Sequence, residues 1–96
     1  RWDRALYGTQ LISDQTRTEA FSPALLKDGT RSMYGFGWDL EQDKTLGKVV
    51  RHSGDNPGYK TQFIRFIDQD YTIILLCNNA LEEFDDLTQQ LQKSIK

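Results

Sequence analysis

One histidine in this chain is followed directly by a serine and a glycine, in the segment His52-Ser53-Gly54. An imidazole can move protons near neutral pH, and a serine hydroxyl becomes a nucleophile when a base lies within hydrogen-bond reach. The two side chains cannot form such a pair by themselves, because neighbouring residues of a strand point to opposite faces. Any catalytic role must therefore involve groups from elsewhere. The alternative is a surface or half-buried histidine at a strand end, with no role in chemistry.

The other reactive residue types favour structural roles. Cys77 is the only cysteine and lies in an apolar segment, so it can form neither an internal disulfide nor a zinc site with His52. The acidic residues between positions 82 and 86 follow the charge order that a helix N-terminus favours. Gly35 and Gly37 are not followed by the Gly-Lys pattern of a phosphate-binding loop. The sequence therefore predicts no metal and no cofactor.

Composition places the chain among small soluble domains. Its 96 residues carry a net charge of −2, with 38% hydrophobic and 27% charged residues, which are ordinary values for a single globular domain. No two Lys or Arg residues are adjacent, which argues against a nucleic-acid partner and against a basic membrane-surface helix. The longest apolar run, residues 73–77, is far shorter than the roughly 20 residues of a membrane span.

Helical patterns are found at both ends of the chain. Residues 1–7 have apolar side chains at helical spacing, and Gly8 is a stop signal. Ser13 can cap a second short helix over residues 14–21. A third helix is predicted over residues 82–94, because apolar residues recur there at intervals of three and four. This apolar stripe consists of Phe84, Leu87, Leu91 and Ile95.

Four strands are predicted between these helices. The first covers residues 34–40, where aromatic or apolar residues alternate with small or polar ones. A tight loop is predicted at residues 54–58, which are rich in turn-forming types. The unbroken apolar run of the fourth strand predicts burial on both faces and hence a central position in the sheet. The other three strands are predicted over residues 48–53, 59–67 and 71–78.

Short connections between consecutive strands favour an antiparallel meander. We therefore expect one α+β domain over residues 1–96: an antiparallel sheet of three to four strands, with a C-terminal helix on one face and short N-terminal helices. Because the C-terminal helix can cover only one face, the other face must be covered by the N-terminal helices or by self-association. Trp2, Leu6 and Phe21 are the candidate side chains for covering it.

Several segments occur in an order that resembles one enzyme family. They are Tyr34-Gly35-Phe36-Gly37-Trp38, His52-Ser53-Gly54, Pro57-Gly58-Tyr59 and the Ile-Ile-Leu-Leu-Cys-Asn-Asn of residues 73–79. The chain resembles the C-terminal region of the class C β-lactamase family, which includes DD-peptidases and related esterases. This resemblance implies that residues 1–96 form the C-terminal segment of a larger, extracytoplasmic serine hydrolase, whose upstream part is their partner.

Family members work with three boxes, and this chain resembles only the third. Neither the Ser-x-x-Lys of the first box nor the Tyr-x-Asn of the second occurs here. By resemblance, His52 faces the substrate carboxylate or assists the proton relay, and Ser53 is a hydrogen-bonding partner nearby. Gly54 keeps the strand edge open, and the backbone N–H of Asp55 is a donor to the oxyanion.

The resemblance implies hydrolysis of an acyl-peptide, a β-lactam or an ester by the parent, and no activity by this chain alone, which lacks the nucleophile. Histidine at the first position of the third box, where lactamases carry lysine, is more usual in peptidase-like and esterase-like relatives. Two alternatives stay open. One is a non-catalytic binding module that kept the fold, and the other is a structural domain whose exposed face docks onto a partner.

Overall fold

The computed structural model describes residues 1–79 and 83–94 and contains three helices and four strands in an α+β arrangement, as the sequence predicts. The helices are α1 (Trp2–Ala5), α2 (Asp14–Ala20) and α3 (Phe84–Ser94). The strands are β1 (Asp39–Asp43), β2 (Gly47–Asn56), β3 (Tyr59–Phe66) and β4 (Tyr71–Cys77). In the described part of the chain, no helix is long and apolar enough to cross a membrane.

The four strands form one antiparallel sheet in the order β1-β2-β3-β4. The pairing of β2 with β3 continues to Asn56 and Tyr59, so the turn between them contains only Pro57 and Gly58. Proline fixes its own φ, and Gly58 takes a φ of 82°, which only glycine adopts easily. The predicted loop at residues 54–58 is therefore wrong in its extent, because its first three residues continue the strand.

The predicted first strand is also wrong in its position, because β1 begins only at Asp39. The segment before it is irregular and packs against the end of α2, where the Phe36 N–H donates to the Ala20 carbonyl at 3.0 Å. A Cβ on Gly35 would lie 2.0 Å from that same carbonyl oxygen, and Gly37 takes a φ of 76°. The glycines that suggested a strand therefore serve a close approach and a bend.

The sheet has two faces, each with an apolar cluster. We call the face that carries Val50 the front face; there Val50 packs with Ala20, Phe21 and Leu40, and Trp38 lies against them. The opposite face, the back face, carries the cluster of Val49, Ile64, Phe66 and Ile73, against which Leu91 of α3 packs. The N-terminal helices and α3 thus lie on opposite faces.

A buried ion pair ties α1 to the front face. The side chain of Arg65 in β3 is fully buried, and its Nε donates to Asp3 Oδ1 of α1 at 2.7 Å. The guanidinium also lies over the rings of Tyr7, Phe21 and Trp38, at 4.6, 5.5 and 5.9 Å from their centroids. Cation–π contacts of this kind help to stabilise a charge that has left water.

The Asp3 carboxylate has a second donor, because Thr72 of β4 donates its hydroxyl to Oδ1 at 2.7 Å. Burial raises the pKa of Asp3, but the hydrogen bonds from Thr72 and Arg65 outweigh burial and leave this pKa below its ordinary value. Of the three side chains expected to cover the front face, Leu6 and Phe21 are buried, whereas Trp2 is 63% exposed and does not cover the sheet.

Two predictions about apolar residues need correction. In the described sheet β4 lies at the edge, and its front-face residues Ile74 and Leu76 are 56% and 79% exposed. Its apolar run therefore does not mark a central strand within this chain. In α3, Phe84 is buried and Leu91 packs on the back face, but Leu87 is 40% exposed. Ile95 lies outside the described residues.

Candidate functional site

His52 lies within β2, opposite Phe63 of β3, and its side chain is exposed. It is two residues from Val50, so both side chains belong to the front face. The strand continues for four residues beyond His52, which corrects the expectation of a strand end. Its exposure agrees with what a residue needs in order to reach a substrate.

The half of β2 that carries His52 has a strand on one side only. β1 pairs with β2 from Gly47 to Arg51 and no further, whereas β3 continues along β2 to Asn56. The backbone edge of residues 52–56 is therefore left without a strand partner among the described residues. Such an edge can accept an extended chain through main-chain hydrogen bonds.

Tyr34 contacts the side chain of His52 in an edge arrangement. The distance from the tyrosine Oη to the histidine Nε2 is 3.1 Å, within hydrogen-bond range, and the two ring centroids are 6.2 Å apart at an interplanar angle of 62°. Sequence reasoning missed this residue as part of the site and placed it in a strand. No spacing rule connects two residues that are 18 positions apart and lie on different elements.

Ser53 and Asp55 follow on the same strand and are exposed, with side chains on the back face by alternation. The structure thus brings His52, Ser53, Gly54 and Asp55 together along the open half of β2, but it does not bring the hydroxyl of Ser53 to His52. Asp55 pairs with Lys60 across the hairpin.

Gly54 has a close front-face neighbour. It lies opposite Thr61 of β3, and a Cβ at this position would lie 2.5 Å from the Thr61 hydroxyl oxygen. A side chain here would therefore require Thr61 to move. Because glycine has no side chain, nothing projects from this position of the front face beside His52.

An exposed apolar patch extends across the front face from His52. His52, Phe63 and Ile74 lie in one cross-strand row, and Thr61 and Leu76 lie in the next. We define the front patch as Tyr59, Phe63, Ile74 and Leu76. Tyr59 is 59% exposed, and Phe63 is half-buried against the Trp38 ring, 5.3 Å away.

Among the described residues, the metal-ligating residue types and the hollow between β1 and α3 are separate from this arrangement. Within residues 1–79 and 83–94, no group of three His, Cys, Asp or Glu side chains is placed to hold a metal ion. A hollow of about 570 Å³ between β1 and α3 is lined by Glu41, Arg51 and Lys93 among others, and none of the predicted site residues borders it.

Comparisons with known proteins agree with the sequence motifs. The beta-lactamase family model matches residues 1–94. Penicillin-binding protein 4* of Bacillus subtilis (strain 168) is 43% identical over 94 residues, which make up 98% of this chain and 20% of that protein. The chain thus spans about one fifth of the length of this relative. No solved structure gives a significant match.

Proposed function

Because this chain belongs to the beta-lactamase family, we propose that it is the C-terminal part of a serine hydrolase that acts on an acyl-peptide, a β-lactam or an ester. The observation that carries the proposal is the position of His52. The side chain is exposed at the beginning of the stretch of β2 for which the described residues provide no strand partner on the outer side. The 20% coverage of the Bacillus relative leaves room for an upstream part that would carry the nucleophile.

In this proposal, residues 52–55 form one wall of the active-site cleft. His52 binds the substrate carboxylate or assists proton transfer, and the Asp55 N–H donates to the oxyanion that develops during acyl transfer. Ser53 offers a hydroxyl from the other face of the strand. Gly54 keeps the edge accessible. The closeness of Thr61, which leaves no space for a side chain at this position, supports this role.

The upstream part would also cover the front patch. Ile74 and Leu76 are large apolar side chains on an edge strand, and fully burying a side chain of that size is worth roughly 1.5–3 kcal/mol. We propose that the upstream segment of the parent packs there. Under this proposal, the isolated chain would self-associate through the front patch because that segment is missing.

Two measurements test the proposal: the sequence of the parent upstream of this chain, and covalent labelling of the parent by acylating probes. Ser-x-x-Lys followed by Tyr-x-Asn or Tyr-x-Ser upstream of Arg1 is the expected pattern. The parent should also be labelled covalently by a fluorescent penicillin or by an activated ester probe. His52→Ala should weaken labelling, whereas replacement of the upstream serine should abolish it.

The second candidate is a non-catalytic binding module. Its supporting observation is the front patch, which offers an apolar surface regardless of chemistry. A parent without Ser-x-x-Lys, in which no residue is labelled by either probe, would decide for this candidate and against hydrolysis.

A further inference from the structure

The contact between Tyr34 and His52 carries a consequence for the chemistry of the histidine. The phenol oxygen faces Nε2 of the imidazole at 3.1 Å. Neutral imidazole has one nitrogen that donates and one that accepts, and the hydrogen bond at one nitrogen decides where the proton lies. We infer that Tyr34 is a positioning residue for His52: its O–H donates to Nε2 and thereby keeps the proton of the neutral ring on Nδ1.

The main chain around Tyr34 is fixed well enough for such a role. The Tyr34 N–H donates to the Ser32 hydroxyl at 3.1 Å, and its carbonyl accepts from the Ala24 N–H at 3.2 Å. Tyr34 also forms an isolated antiparallel bridge with Asp39 at the start of β1. Contacts on three sides therefore hold the residue that carries the ring.

The residues after Tyr34 leave this segment little freedom. The Gly35 N–H donates to the Trp38 carbonyl at 2.8 Å, and the closeness of Gly35 to the Ala20 carbonyl leaves no space for a side chain. The segment thus connects α2 to β1 along a path that brings the tyrosine ring over the open half of β2. These backbone contacts therefore determine where the Tyr34 ring lies, in addition to the hydrogen bond of its phenol.

The inference assigns the phenol as the donor of this hydrogen bond, because a phenol donates more strongly than it accepts. A phenol is a good donor, and an unprotonated imidazole nitrogen is a good acceptor. An imidazole without a partner in water carries its proton mainly on Nε2, so the tyrosine reverses the ordinary preference. The outcome is a ring whose Nε2 is occupied and whose Nδ1–H is available as the donor.

The catalytic meaning of this inference rests on the proposed function, because a fixed tautomer matters only if His52 contacts the substrate or a relay group. In that case Tyr34 acts through His52 and does not touch the substrate itself. A fixed Nδ1–H selects an acceptor, such as a substrate carboxylate oxygen. Loss of the tyrosine hydroxyl would then leave the ring present but with its proton on the other nitrogen.

Nitrogen NMR tests the tautomer directly. His52 is the only histidine of this chain, so ¹⁵N-histidine labelling reports on it alone; in a longer parent, His52→Ala identifies its signals. In the neutral form of the ring, we expect Nδ1 to be the protonated nitrogen. In Tyr34→Phe the major form should change to Nε2–H, and in the matched control Tyr59→Phe it should not. A wild-type ring protonated mainly on Nε2, or a ring unchanged by Tyr34→Phe, overturns the inference.

Kinetics of the parent separates this inference from the proposed function. Tyr34→Phe should lower kcat/KM about fivefold, the factor expected for one ordinary net hydrogen bond, and His52→Ala should lower it more. The double variant should be no slower than His52→Ala, because Tyr34 acts through His52. Losses that multiply would contradict the positioning role. If His52→Ala keeps full activity, the proposed function fails, while the NMR result still decides whether Tyr34 sets the tautomer.

Discussion

Arg65 and Asp3 form a buried ion pair between residues that are 62 positions apart, with 2.7 Å between the arginine Nε and the carboxylate Oδ1. The pair joins the N-terminal helix to the middle of the sheet. The arginine is fully buried, and the aspartate side chain is 19% exposed. Removing one partner of such a pair leaves a charge without compensation, which costs far more than breaking an exposed pair.

Asp3→Ala is therefore expected to lower the free energy of unfolding by about 3 kcal/mol. Chemical denaturation followed by tryptophan fluorescence measures this change. The control is Asp70→Asn, which removes the charge of the exposed partner of Arg4 and keeps a side chain that tolerates the φ of 58° at this position. This variant should change stability very little, because exposed ion pairs contribute little. Equal losses in the two variants would show that burial of the Asp3 pair does not matter.

The same pair predicts how stability depends on pH. The pKa of Asp3 is lower in the folded chain than in the unfolded chain, so the unfolded state binds a proton more readily. The carboxylate therefore contributes stability above its ordinary pKa, and this contribution is lost as the pH falls through the lowered pKa of the folded state. The stability difference between the wild type and Asp3→Asn should shrink over that acidic range. A difference that stays constant or grows on acidification would contradict the assignment.

Gly35→Ala should destabilise the fold by about 2 kcal/mol, the typical cost of forcing a methyl group into filled space. The new Cβ would meet the Ala20 carbonyl oxygen at 2.0 Å, which requires the backbone to move. Gly8→Ala is the control, because its Cβ would have only an ordinary contact, 3.9 Å from the Ala5 carbonyl oxygen. Thermal unfolding of both variants measures the difference, and a tolerated Gly35→Ala would show that the segment before β1 is not held against α2.

The isolated chain should not hydrolyse a chromogenic β-lactam or a p-nitrophenyl ester above the buffer rate. It contains no Ser-x-x-Lys segment, and under the proposed function it would supply only one of the oxyanion donors and no nucleophile. Turnover is compared with that of His52→Ala. Activity that the substitution abolishes would contradict the prediction, because it would reveal a nucleophile within these residues.

The isolated chain should self-associate through the front patch. Leu76 and Ile74 are the exposed apolar residues of the edge strand, so Leu76→Glu should raise the monomer fraction at a given concentration. Leu25→Glu is the control, because Leu25 is 67% exposed but lies outside the patch. Sedimentation velocity across a concentration series measures both. A wild type that is monomeric at every concentration would contradict the prediction.

Local patterns allowed part of this fold to be predicted. Ser13 accepts from the Thr16 N–H as a helix cap should, and the strands after residue 47 follow runs that end in turn residues. The conformation of the Tyr34–Trp38 segment could not be predicted, because its aromatic residues and glycines alternate as in a strand. Its actual conformation depends on contacts with α2. The edge position of β4 depends on which strands exist beside it, which apolarity alone does not reveal.

The candidate site shows the same division. His52 could be selected from the sequence because it is part of a motif, whereas Tyr34 could be found only from the distance between two side chains. In the same way, nothing in the local sequence of Asp3 or Arg65 indicates that they meet. Contacts between distant residues of different elements follow from tertiary packing. They cannot be predicted from the local patterns of a single sequence.

The enclosed guanidinium of Arg65 also determines where a parent protein can be divided for fragment complementation. A cut between Tyr7 and Ser13 would separate Asp3 from the sheet and leave the arginine between Phe21 and Trp38 without its carboxylate. A cut upstream of α1 keeps the charge and its counterion in one piece. A split reporter built at the upstream position should therefore yield a C-terminal half that is more soluble than one that begins at α2.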